Sequence, residues 1–209
     1  MATIAELLAS SLNALKQVQR GEDFTIIKSS DLSRTHIKRL VDNHFLKPII
    51  KGWYVVTDPR ATPGDSTAWY ASFWSFITRY ANERYGNEWC LSAEQSLSIY
   101  TGATIIPNQV LIRAPKGNDY MVPLIPPTSV FNLGAELPSK IDTNNPYNLN
   151  LYTLAEAIIV ATPTMYRNDA LTMRTALAMV HDSSDILKIL VDTGQTVRAG
   201  RVIGAFRNI

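Results

Sequence analysis

Residues 3–57 switch back and forth between the helical and the extended apolar rhythm, and that switching restricts the fold more than any other feature of the chain. From Thr3 to Arg20, the residues Ile4, Leu7, Leu8, Leu12, Leu15 and Val18 recur three and four apart, which predicts a helix with one apolar stripe. Thr3 is placed to cap it, with Glu6 at the reciprocal capping position and Gly21 as the stop. Phe24–Lys28 is a short β-branched run, either a strand or the start of a short second helix. Ser33 then reads as the N-cap of a helix over Arg34–Asn43, in which Ile37, Leu40 and Val41 share a face. Leu46–Thr57 has the form of a hairpin, with arms Leu46–Ile50 and Trp53–Val56 about a Lys51-Gly52 turn.

Asp58–Asp65 is rich in Pro and Gly and reads as a linker, dividing the chain into residues 1–60 and 65–209. An aromatic helix follows over Ser66–Tyr85, stopped by Gly86, and a second over Ser92–Tyr100, closed by Gly102. Strand patterns occupy Gln109–Arg113 and Tyr120–Ile125 around a polar turn. Ala135–Asn150 reads as an exposed loop, and helices are expected near 153–161, 169–180, 183–193 and 197–206. The expected class is therefore α+β, a winged helix-turn-helix followed by a mostly helical α+β domain.

Composition removes several classes. The hydrophobic fraction of 46% suffices for a packed core, and 18% charged residues argues against a disordered chain. One cysteine, Cys90, allows no internal disulfide, which fits a reducing cytoplasm. The first residues lack the charged and then apolar pattern of a secretory leader, and no run nears the roughly 18 apolar residues of a membrane span. No Cys/His cluster suggests a metal, and isolated glycines form no phosphate-binding loop, so no cofactor is expected.

The net charge of +2 says little, but its distribution says more. Between Lys28 and Arg60 stand seven basic residues (Lys28, Arg34, Lys38, Arg39, Lys47, Lys51, Arg60) against three acidic ones (Asp31, Asp42, Asp58). A helix that reads a major groove must anchor one face and turn the other outward. In Arg34–Leu40 the anchors are Ile37 and Leu40, with Val41 beyond, and the outward set is Arg34, Thr35, His36, Lys38 and Arg39. Arginine can donate twice to a guanine edge, while lysine and the Ser33 hydroxyl suit phosphate oxygens. Lys47 and Lys51 would bring charge to the wing. The competing reading is a solvated basic helix on a protein-docking module.

The remaining candidates point to structure. His36 and His44 are eight residues apart, too far to share one metal without a third ligand. His181 beside Asp182 suits a cap, and Cys90 between Trp89 and Leu91 suits a core. Glu94-Gln95-Ser96 suits a helix surface or cap, and the aromatic stripe of residues 69–80 suits a core or interface. No convergent titratable set marks an enzyme.

The run Leu32-Ser33-Arg34-Thr35-His36-Ile37-Lys38-Arg39-Leu40-Val41, then Phe45-Leu46 and Ile50-Lys51-Gly52-Trp53-Tyr54-Val55, resembles the winged-helix part of the AbiEi-type antitoxins of type IV toxin–antitoxin systems. Trp89–Leu97, with Gly102 and Pro107–Val110, is similar to that family's following helix and strand. The Lys51–Tyr54 turn and the Gly204–Ile209 ending are also similar to the N-terminal region of some Fic-family proteins, although no His-Pro-Phe-x-x-Gly-Asn loop occurs here. The resemblance implies a cytoplasmic autorepressor that binds double-stranded DNA at an inverted repeat in its own promoter, as a homodimer. It further implies a cognate toxin, a nucleotidyltransferase or a Fic-type enzyme, restrained by an antitoxin or oligomerisation domain at 65–209.

Overall fold

The computed structural model describes residues 3–19, 25–62 and 64–207 of the 209-residue chain. The capping pair forms at the start of α1 (Ile4–Gln19): Glu6 N–H donates to Thr3 Oγ1 at 3.2 Å and Thr3 N–H to Glu6 Oε2 at 2.7 Å. Two amides that a helix start leaves without partners are thereby satisfied. The expected stop at Gly21 lies outside the described residues, as does Phe24.

The β-branched run is a strand, β1 (Ile26–Lys28). Only a turn separates it from α2 (Arg34–Asp42), so no second helix intervenes. Asp31 holds that turn by accepting the Lys28 N–H at 2.8 Å. Ser33 caps α2 as its position predicts, and Asn43 closes the helix. β2 (Leu46–Ile50) and β3 (Trp53–Val56) then form the hairpin, with Ile50 opposite Trp53 across Lys51-Gly52 and a register shift between Pro48 and Ile50. The sheet order is β1-β3-β2, antiparallel throughout. Gly52 sits at φ +82°, a left-handed conformation that residues with a Cβ rarely adopt. Leu15, Ile27, Leu32, Ile37, Leu40 and Leu46 meet in the small core beneath this sheet.

Two compact units make up the chain: residues 1–79 with 123–129, and residues 80–122 with 130–209. The division does not fall at the Pro/Gly-rich segment 58–65. The first unit continues through most of α3 (Thr67–Tyr85), because the aromatic face of that helix completes its core. Trp69, Phe73 and Phe76 are buried, and Phe76 meets Trp53 edge-on at 5.5 Å. Trp69 Nε1 donates to Thr128 Oγ1 at 3.1 Å, tying in the loop 123–129.

The second unit opens with β4 (Cys90–Leu91) and α4 (Ala93–Tyr100), the latter capped by Ser92. β5 (Gln109–Ala114), β6 (Tyr120–Pro123) and β7 (Ser129–Gly134) join β4 in a sheet of order β4-β5-β7-β6. The stretch expected to be a loop contributes β8 (Ile141–Asp142), which pairs with β9 (Leu151–Tyr152). Five helices follow: α5 (Leu154–Val160), α6 (Pro163–Asn168), α7 (Ala170–Ala178), α8 (Ser184–Thr193) and α9 (Thr196–Phe206). They pack Ile158, Met173, Leu177, Ile186 and Val202 into one apolar core with Cys90 and Leu97.

Candidate nucleic-acid interface

α2 turns about 100° per residue, which places Lys38, Asp42, Thr35 and Arg39 on the side away from Ile37. Burial follows that wheel. Ile37 and Leu40 are buried and Val41 is half-buried, while Arg34, Thr35, Lys38 and Asp42 are exposed. Arg39 is half-buried. Asp42 shares the outward face with the cations and offsets part of their charge.

Ser33 is exposed, and its Oγ accepts the His36 N–H at 3.3 Å. The hydroxyl hydrogen remains able to donate outward, beside the partial positive charge of the helix start. His36 departs from the expected outward set. It is half-buried, with Nδ1 2.9 Å from Ser11 Oγ, and that hydroxyl also reaches the Leu7 carbonyl at 3.0 Å. A carbonyl can only accept, so Ser11 gives its proton to Leu7 and accepts from Nδ1–H. His36 therefore orients α2 against α1; with Leu40 beside it on the wheel, its ring falls at the border of the buried face.

On the hairpin, Lys47 and Lys51 are exposed. Lys47 lies near Asp65, whose carboxyl is held below its usual range by the Thr67 backbone N–H and hydroxyl and, to a lesser degree, by the Lys47 charge. The Gly52 carbonyl accepts the Ser29 N–H at 2.8 Å, which fastens the hairpin tip to the turn preceding α2.

Other basic residues of the segment have structural roles. Lys28 stands over the Trp53 ring at 5.4 Å, and Arg60 pairs with Asp58 at 3.2 Å in solvent. Arg79 is invisible to local pattern, being far along α3. It donates to the Ile26 carbonyl, meets Asp31 at 3.7 Å and lies over Trp53 at 5.7 Å. No spacing rule links residue 79 to residues 26–53. The one hint is an arginine set between Phe76 and Tyr80, in the aromatic stretch of the helix.

The weaker candidates resolve as structure. Cys90 is buried, and burial pushes its thiol up to about 12, so it is no nucleophile near neutrality. Gln95 bridges to the Gln109 carbonyl and the Leu111 N–H, Ser96 receives the Tyr152 N–H, and Glu94 accepts the Thr162 N–H. His181 and His44 are exposed, and the Asp182 side chain accepts the Ser184 N–H at the start of α8. Among the described residues no group of three or more His, Cys, Asp or Glu is placed to hold a metal ion. No helix among them is long and apolar enough to cross a membrane.

These elements define an α+β protein of two compact units, the first carrying an exposed, mainly basic helix face beside a two-lysine hairpin. Compared with known proteins, the chain matches no protein-family model and no curated protein.

Proposed function

We propose that the first unit is a winged-helix variant that binds double-stranded DNA, and that the chain is a non-catalytic transcriptional regulator acting as an antitoxin. The observation that carries this reading is the outward face of α2. Thr35, Lys38 and Arg39 emerge from a helix whose opposite face is anchored by Ile37 and Leu40, and Arg34 is exposed in its first turn. That is the arrangement a groove-reading helix needs. Lys47 and Lys51 supply the phosphate-binding charges of a wing, and Ser33 donates to phosphate at the helix start. In this variant the helix that would precede the recognition helix is reduced to the turn stabilised by Asp31. Resemblance of Leu32–Val41 and Ile50–Val55 to AbiEi-type antitoxins supports the same reading and suggests autorepression in the cytoplasm, with a homodimer on an inverted repeat.

The test is fluorescence anisotropy on the chain's own promoter fragment at several salt concentrations. Binding weakens as salt rises, and Lys38→Ala or Lys51→Ala lowers the slope of log K against log salt by about one. Arg34→Ala and Arg39→Ala each cost about 1–3 kcal/mol on the specific fragment, the worth of one arginine on a base edge. If both arginine variants bind as tightly as the parent chain, α2 is not a recognition helix.

A further inference from the structure

Arg79 is distant from α2 in sequence, yet its guanidinium meets the segments that carry both halves of the candidate interface, all within the first unit. Nη1 donates to the Ile26 carbonyl on β1. Nη2 lies 3.7 Å from Asp31 Oδ2, in the turn that launches α2. Cζ stands over the Trp53 ring at 5.7 Å, at the first residue of β3.

Asp31 and Trp53 are each tied in turn to an element that faces the candidate duplex. Asp31 Oδ2 also accepts the Lys28 N–H at 2.8 Å, and Ser33, two residues on, caps α2 through the His36 N–H. Trp53 follows Gly52, whose carbonyl accepts the Ser29 N–H at 2.8 Å. The Arg79 and Asp31 side chains are 28% and 23% exposed, so salt screens their attraction less than that of a fully exposed pair. A planar guanidinium can hold a carbonyl and a carboxylate with separate nitrogens while its carbon faces an aromatic ring, whereas an ammonium is a single point charge. Nη1 and Nη2 are both turned onto the protein, which suits an orienting role rather than a contact with phosphate.

We infer that Arg79 is a positioning residue for DNA recognition: without touching the duplex, it fixes the start of α2 relative to the hairpin tip, and so governs discrimination between sequences. The inference rests on the DNA-binding reading of the first unit. Readout of base edges needs side chains held to within about 0.5 Å, and that precision comes from the groups behind them. Phosphate contacts by flexible lysines carry no sequence information and tolerate looser placement. Loosening the launch of α2 therefore lowers affinity for the specific site and spares non-specific binding.

The test compares the parent chain with Arg79→Lys, which keeps the charge but not the fork, on the chain's own promoter fragment and on a scrambled duplex of the same length and composition. Arg79→Lys should weaken promoter binding roughly three- to thirtyfold, keep the scrambled duplex within about twofold and leave the salt slope unchanged. Amide exchange at Lys28, Ser29 and His36 should quicken roughly threefold or more while α1 amides keep their rates. Asp31→Asn should lose discrimination likewise, and the double variant should be no worse than the poorer single one, because both break one link. Asp31→Asn carries the same comparison should Arg79→Lys lose its circular-dichroism signature. Phe73→Leu loosens the same core away from that turn and should discriminate as the parent does. The inference is overturned if Arg79→Lys discriminates as well as the parent, or if Phe73→Leu loses as much discrimination. It is also overturned if Arg79→Gln lowers the salt slope on the scrambled duplex by about one, since Arg79 then touches phosphate. A parent chain that binds the two duplexes equally, or neither, overturns the recognition reading itself and this inference with it.

Discussion

Gly52 sets the hairpin tip, and replacing it isolates one backbone conformation from everything around it. At φ +82° an L-residue incurs about 1–2 kcal/mol, more than the unfolded-chain entropy that a glycine substitution gives back. A Cβ there would stand 3.2 Å from Ser29 Oγ, a side-chain tip on an exposed residue that can rotate away. Crowding therefore adds little, and the backbone conformation dominates. Gly52→Ala should destabilise by about 1–2 kcal/mol, and Gly52→Asn by less, because asparagine tolerates the left-handed region. In thermal unfolding this is a fall of about 2–8 °C for a chain of this size. Ser29→Ala in the Gly52→Ala background should restore almost none of it. The reasoning fails if alanine and asparagine are both as stable as glycine, or if Ser29→Ala recovers most of the deficit.

Three further outcomes follow from the packing. Thr128→Val removes the acceptor of the buried Trp69 N–H and should cost about 1–3 kcal/mol in urea unfolding, whereas a change within error means that water replaces the hydroxyl. Cys90 should react with a thiol reagent at neutral pH only after denaturant is added; rapid reaction of the folded chain contradicts its burial. Burial raises the Cys90 thiol from 9.0 to about 12 and the Tyr152 hydroxyl from 10.0 to about 12. A raised folded value favours the protonated form, so the stability these groups contribute is complete below pH 9 and is lost as pH rises toward 12. The decline is at most about 1.4 kcal/mol per pH unit for each group. Tyr152→Phe should flatten the fall of the urea midpoint across that window, and an unchanged profile removes Tyr152 from the account.

Much of this architecture is legible where local chemistry decides it. The Thr3–Glu6 pair, the Ser33 cap, the Lys51-Gly52 turn and the aromatic α3 each depend on residues within a few positions of one another. Elements built from distant partners are not legible in this way. β4, β8 and β9 are two residues each, too short for any periodicity, and exist because neighbouring strands supply their hydrogen bonds. β7 hides its alternation because one of its inward positions is Asn132, buried as the acceptor of the Tyr85 hydroxyl at 2.9 Å. α6 begins at Pro163, which reads as a breaker until Thr162 is seen to cap it. At the candidate interface the cationic positions are readable, but the inward turn of His36 needs Ser11, 25 residues earlier. The boundary between units escapes local pattern for the same reason: α3 carries the aromatic wall of the first core although it follows the Pro/Gly-rich segment.

The bond from Ser29 N–H to the Gly52 carbonyl has a mechanical meaning. It pins the loop that launches α2 to the far end of the hairpin, while Lys28 and Arg79 flank the Trp53 ring at the start of β3. Helix start and hairpin tip then behave like the two jaws of a caliper locked at one opening. A partner that engages both must present matching sites at that separation, and discrimination by spacing comes without any further side chain.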